Sequence, residues 1–361
     1  MPSTESVSHD DLVVCSCENR EYKARDAIDA AFFRGELQAD WNEFLKRIAA
    51  EKQADATDMD FDENVLDSAA EQFRYDHDLI TAEETEQWLS TRGLTLDDFS
   101  DYFARQYCGN VLGNEVTPES ISYPSASSDL RQLFATESIL SGNLERMTKE
   151  LVWRLASRTA AKEDDPELIA AEEQKFFDRH SLGREHLPNW LATLGRDAEW
   201  FSEMLAMEAA YRKRRDSLLA DHARQHEMAT LRLPLTRFET EMIELESRDA
   251  AQEALFCVRE DGMSMEEVAI EGRYPYRRTD FLLEDVAPDM QQKFLSVSPG
   301  DILEPFARGD GFELCRILNK VEPKASDPAV QWRIEQRILE RHFSDLSSKH
   351  VDRRMSMPTA S

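Results

Sequence analysis

His222 and His226, in "DHARQH", stand four residues apart. That spacing puts two imidazoles on one face of a helix and could grip a transition metal. No glutamate lies between them in the HExxH manner and no third ligand is visible, so an exposed helical surface is expected and no metal is assigned. Cys15-Ser-Cys17 is the one close thiol pair, and without a second pair or a histidine at ligand spacing it reads as two reduced cysteines. His77 and His180 end helical patterns, where the helix dipole favours a cation, and read as C-terminal caps. Cys257 and Cys315 fall inside predicted elements and read as small apolar packing residues. "GNVLGNE" lacks the Lys and Ser/Thr that complete a phosphate loop, and no G-x-S-x-G elbow occurs. What remains is "GDGFELCRILNK", part of two apolar runs around a Gly-Asp-Gly turn, the pattern of a β-hairpin. Glu313 sits there between Phe312 and Leu314, on the solvent face if its two neighbours point inward.

Bulk properties restrict the setting of these residues. At 361 residues, with 41% hydrophobic and 32% charged, the chain can bury sizeable cores. Only 12 Gly and 13 Pro, with abundant Ala, Leu, Glu and Arg, favour helices. The net charge of −29 argues against nucleic acid and against anionic membranes, both of which call for clustered Lys and Arg. A basic peptide or protein partner is compatible with it. Five scattered cysteines fit a reducing compartment better than a disulfide framework. The start "MPSTESVSHDDLVVCSCENREY" lacks a basic stretch followed by an apolar run, and no apolar segment reaches membrane-spanning length, so a cytoplasmic location is expected. No cofactor is expected.

Apolar residues at helical spacing dominate to about residue 230. "EQFRYDHDLITAEETEQWLSTRGLTLDDFSDYF" and "EQKFFDRHSLGREHLPNWLATLGRDAEWFSEML" resemble each other. Phe73 aligns with Phe176, His77 with His180 and Leu79 with Leu182; after a one-residue gap, Trp88 aligns with Trp190, Gly93 with Gly195 and Phe99 with Phe201. This spacing predicts a duplicated three-helix unit. Trp88, Trp190, Met204 and Met207 read as core. Asp165 with Pro166, and Asp327 with Pro328, mark helix starts. From about Leu231 the pattern becomes β, α, α, β, α, β, β. The fold class expected is α+β: a mostly helical N-terminal region of duplicated three-helix units, a small antiparallel-sheet domain and a C-terminal helix. The expected boundaries are 1–112 for the first helical repeat, 113–128 for a Ser- and Pro-rich linker, 129–233 for the second repeat, 234–323 for the sheet domain, and 324–361 for the C-terminal helix and tail.

The segments "SRDAAQEALFCVREDGMSMEEVA" and "MQQKFLSVSPGDILEPFARGDGFELCRIL" resemble the parvulin family of peptidyl-prolyl isomerases. The second matches that family's Leu-x-x-Gly-Glu-Val-Ser-x-Pro and Phe-Gly-Tyr-His-Ile-Ile-Lys-Val patterns. The match spans Pro234 to Glu322, about a quarter of the chain. The larger plan is similar to SurA-type chaperones and trigger-factor-like helical modules, and more narrowly to parvulin-related proteins of bacterial peptide maturation systems. In that plan the helix from Ala329 to Phe343 packs back on the helical region.

The resemblance implies a site and its decay. Active parvulins pair two histidines, on the first and last strands, with a Cys or Asp, beside an apolar slot for the proline ring. Met242 and Glu313 fall on the two histidine positions, and Asp280 on the Cys/Asp place. Two neighbouring carboxylates repel unless one is protonated or paired with arginine, for which Arg277 or Arg278 is at hand. Met242, Phe281, Met290, Phe294 and Phe312 are the expected peptide-binding residues. No catalytic residue is assigned. The leading reading is a catalytically degenerate chaperone or scaffold that holds a peptide or protein client, such as a precursor peptide presented to maturation enzymes. A weakly active prolyl isomerase and a structural subunit of a biosynthetic complex are the two alternatives. The oligomeric state is not read from the sequence.

Overall fold

The computed structural model describes residues 9–161, 163–309 and 311–356. The chain divides into two compact units, Met1–Asp216 with Arg341–Ser361, and Ser217–Glu340. The first unit opens with a hairpin of β1 (Val13–Cys17) and β2 (Arg20–Lys23). Glu18 and Asn19 turn it with φ of +50° and +66°, the positive pair that suits a tight hairpin. Helices follow: α1 (Ala24–Phe33), α2 (Gln38–Ala56), α3 (Glu63–Asp76), α4 (Ala82–Thr91), α5 (Leu96–Leu112), α6 (Ser128–Leu140), α7 (Asn143–Thr159), α8 (Pro166–His180), α9 (Leu187–Leu194) and α10 (Ala198–Leu218). Local chemistry sets their starts. Thr81 with Glu84, and Thr95 with Asp98, form reciprocal capping boxes, and the Asp165 carboxylate accepts from Leu168 N–H ahead of Pro166.

The two three-helix units carry the same aromatic knot. Phe73 lies on His77 at 4.0 Å between ring centroids and meets Trp88 and Phe99 edge-on at 5.3 and 5.2 Å. Phe176 lies on His180 at 4.5 Å and meets Trp190 and Phe201 edge-on at 4.9 Å each. Edge-to-face contacts of this kind add to the burial of the rings. The likeness extends to the preceding helix pairs. Phe33-Arg34-Gly35-Glu36-Leu37 after α1 matches Leu140-Ser141-Gly142-Asn143-Leu144 after α6, and the two glycines adopt φ of +73° and +76°. The histidines differ in role: His77 Nδ1 donates to Phe73 O within its own helix end, whereas His180 Nε2 donates to Phe33 O at the end of α1.

Two features add to the expected plan. Residues 113–128 are a packed strap rather than a loose linker: Tyr123 is buried with its hydroxyl on Asp29, and Ile121 O accepts from the Trp41 indole at 2.7 Å. The first unit also contains strands, the β1–β2 hairpin and a third that the returning chain end adds to it. The second unit supplies α11 (Asp221–Leu231), β3 (Arg237–Leu245), α12 (Arg248–Arg259), α13 (Met265–Gly272), β4 (Tyr276–Leu282), α14 (Pro288–Ser296), β5 (Phe306–Arg308), β6 (Gly311–Val321) and the first part of α15 (Pro328–His350). The last strand, β7 (Val351–Ser356), pairs antiparallel with β1, giving a sheet of order β2-β1-β7 in the first unit. Within that unit the buried Phe343 of α15 stacks on Trp153 at 5.0 Å. Among the described residues no helix is long and apolar enough to cross a membrane.

Candidate functional site

The second unit is wider than residues 234–323, and its centre is an antiparallel sheet of order β4-β3-β6-β5. Alternation along each strand divides its side chains between two faces. Met242 lies opposite Cys315 on β6 and Arg277 on β4, and Glu313 lies opposite Glu244 and Phe306, so these share one face. Ile243, Leu245, Phe312 and Leu314 share the other. Helix α14 covers the first face through Phe294, while α12 and α13 cover one end of the second through residues such as Leu255 and Met265. Gly311 lets β6 run close to β3, where a Cβ would stand 2.7 Å from Leu245 O.

Glu313 is 2% exposed, so the expected solvent-facing position is overturned. Glu313 and Leu314, on opposite faces, are both buried because helices pack on both faces of the sheet. The carboxylate accepts from Arg277 Nη2 at 2.6 Å and from Arg308 Nη1 at 2.9 Å, and Arg277 also bonds Glu244. Arg278 takes no part: it bonds Glu241 on the opposite face at 2.8 Å. Asp280 is corrected as well. Its register partner is Glu239, its side chain is 61% exposed, and its nearest cation is Arg237 at 3.9 Å. It therefore faces away from Met242 and Glu313. Cys315 is the residue beside Met242 on this face; burial first, and then the Glu313 charge, push its thiol up to about 12. Thr240, also buried on this face, donates to Thr279 O at 3.0 Å.

The apolar group is only partly the one expected. Met242 and Phe294 are 3% and 2% exposed, and Phe294 is ringed by Phe238, Phe281 and Phe306. These side chains pack on one another and fill the space beneath α14. Phe281 and Met290 are half-buried at the margin of this cluster, and Phe312 belongs to the other face. Beside Glu313 opens a cleft of about 470 Å³, with Glu244, Arg277, Arg308 and Phe312 among its walls. Glu313 is engaged by two guanidiniums, a different arrangement from two facing imidazoles, and burial holds Cys315 as a neutral thiol. Sequence reasoning missed Arg308. The signal was its place in the hairpin, where it stands across from Gly311, two residues before Glu313. His222 and His226 are exposed on α11, and among the described residues no group of three or more His, Cys, Asp or Glu could hold a metal ion.

No protein-family model matches the sequence, and no curated protein matches it. The structural neighbours are parvulin-type peptidyl-prolyl isomerase chaperones of the PrsA and SurA-like kinds. The peptidylprolyl isomerase PrsA from Bacillus cereus aligns with a TM-score of 0.34 at 12% identity, over 59% of this chain and 85% of that one. PrsA from Bacillus anthracis aligns with a TM-score of 0.32 at 16% identity, over 56% and 94%. A SurA-like chaperone of Campylobacter jejuni aligns with a TM-score of 0.21 at 11% identity, over 60% and 89%.

Proposed function

We propose that this chain is a parvulin-like chaperone that holds peptide or protein segments without isomerising their prolyl bonds. The observation that carries the reading is the Arg277–Glu313–Arg308 clamp, together with Met242, at the positions where the parvulin resemblance calls for two histidines. An arginine-bound carboxylate and a thioether accept hydrogen bonds but donate none, so neither offers the proton that an imidazole at either position could supply. The filled space around Phe294 supports the same reading, because a proline ring would have to displace buried phenylalanines to enter. A precursor peptide passed to maturation enzymes is the client suggested by the narrower sequence resemblance.

The test pairs two assays on the full chain. One follows cis/trans isomerisation of a proline tetrapeptide, and the other follows aggregation of chemically denatured citrate synthase. Holding without isomerising predicts suppressed aggregation and no rate enhancement. A rate enhancement that disappears in Glu313→Ala would mean that the clamp is catalytic and would overturn the reading. Failure to suppress aggregation would remove its chaperone half.

A further inference from the structure

We propose that the free edge of β4, with the cleft at its Leu282 end, is where the domain takes hold of a client. The occupant is an extended segment, apolar at alternate residues and basic at its flanks, that pairs backbone to backbone with Arg278 and Asp280. This rests on the reading of the chain as a client-holding protein and adds the surface and the mode.

Among the described residues β4 has a strand partner on one side only, since the sheet order ends with it. On the other side of the sheet the edge of β6 is occupied: β5 pairs with it, Leu303 N–H donates to Cys315 O at 2.9 Å, and Ile317 N–H donates to Asp301 O at 3.0 Å. The outermost strand β5 is only three residues long. Which β4 groups face outward follows from the register. Leu283 N–H donates to Thr236 O and Glu244 N–H to Pro275 O, each at 3.0 Å, which fixes the bonded pairs as every second one. Arg277, Thr279 and Phe281 therefore bond inward to β3, and Tyr276, Arg278, Asp280 and Leu282 point N–H and C=O outward. The Leu282 N–H is taken by the Asp285 carboxylate at 3.3 Å. The open run is thus centred on Arg278 and Asp280, and such a row of unpaired groups is a template for an extended chain.

The adjoining cleft, of about 460 Å³, gives that chain a place to seat a side chain. Helices α12 and α13 pack only around Ile243 and Leu245 on this face, leaving the Arg237 end clear of them. Leu235 and Val330 are buried at the floor, and Phe281 is half-buried beside them. Arg237 supplies a donor in need of an acceptor: its Nε is buried with no hydrogen-bond partner, and its ion-pair carboxylates stand at 3.6 and 3.9 Å. A carbonyl of the incoming segment would satisfy it. The rim carries Asp280, Asp285, Glu322 and Asp327, more carboxylates than cations, on a chain of net charge −29. That favours basic flanks.

The probe is a fluorescein-labelled peptide of valine–threonine repeats flanked by lysines, titrated into the full chain and read by anisotropy. Asp280→Pro deletes an outward N–H and leaves the ladder to β3 intact, a change that edge strands tolerate. Its loss should weaken binding about tenfold, and Arg237→Met should weaken it several-fold by the same accounting of hydrogen bonds. Hydrogen exchange on the wild-type chain gives a readout independent of any variant: saturating peptide should slow the amides of Arg278 and Asp280. Failure of the wild-type chain to bind the peptide would overturn the proposal, as would unchanged affinity in folded Asp280→Pro or no slowing at those amides. Aggregation suppression that survives any of these results would leave the client-holding reading standing and sink the β4 site alone.

Discussion

Removing the charge at Glu313 tests whether the clamp holds the sheet together. The substitution Glu313→Gln keeps the shape and deletes the anion between Arg277 and Arg308. Stranding one member of a fully buried ion pair costs about 3–5 kcal/mol, while an exposed pair is worth less than about 1 kcal/mol. This pair lies between those limits, because Glu313 is 3% exposed at its side chain and the arginines are 40% and 61% exposed. Released guanidiniums can turn to water, so the expected cost is about 2 kcal/mol. The two-unit chain is unsuited to a single unfolding midpoint, so the measurement is hydrogen exchange of β6 amides by mass spectrometry, with the β1–β2 hairpin as internal reference. A loss of that size speeds exchange about thirtyfold where opening is local. Exchange within about twofold of wild type would refute the reasoning, because the clamp would then contribute nothing. A companion variant checks the asymmetry of buried charge. Replacing all three residues, by Glu313→Leu with Arg277→Met and Arg308→Met, should be far milder than Glu313→Gln alone.

Three further outcomes follow from packing and titration. Gly35→Ala should cost more than Gly142→Ala: both have φ near +75°, but a Cβ at Gly35 would collide with the Arg179 side chain while Gly142 faces open space. Gly142→Ala should show only the backbone penalty of about 1 kcal/mol, and urea denaturation of the first unit reads the difference. Phe176→Ala should cost about 3–5 kcal/mol, and more than Phe73→Ala, because Phe176 also stacks on Phe33 from outside its repeat, at 4.9 Å. Cys15 and Cys315 are both pushed up to about 12 by burial, so both thiols stay protonated while the unfolded chain ionises near its ordinary value. Their contribution to stability is complete below that ordinary value and is lost as pH rises toward 12. Neither should react with Ellman's reagent at pH 8 before unfolding, and half-buried Cys257 should react ahead of them.

The α+β class and the element order across 237–321 were legible because periodicity and capping residues act locally. Thr81–Glu84 and Asp327–Pro328 announce helices without reference to anything distant. The faces of the sheet were harder. Alternation assigns Glu313 and Leu314 to opposite sides, but the usual inference that one side is wet fails when α14 covers one face and α12 and α13 the other. Asp280 illustrates parity: a one-residue displacement along β4 separates Thr279 and Phe281, which share a face with Met242, from Asp280, which does not. Arg308 and Glu313 are joined by a hairpin whose register depends on the turn, so type and spacing alone did not pair them. The β1–β7 contact was invisible because "VVCSC" is short, and its partner lies at the far end of the sequence.

That pairing also constrains the order of events in the life of the chain. On a ribosome, β1 and β2 emerge well before β7, and the hydrogen-bonding edge of β1 stays open until β7 is made. The whole of Ser217–Glu340 is synthesised in between. During that interval the nascent protein displays an unpaired strand containing Val13, Val14 and Cys15, all buried once folding is complete. Throughout that interval the open edge of β1 is itself a segment for a chaperone to hold.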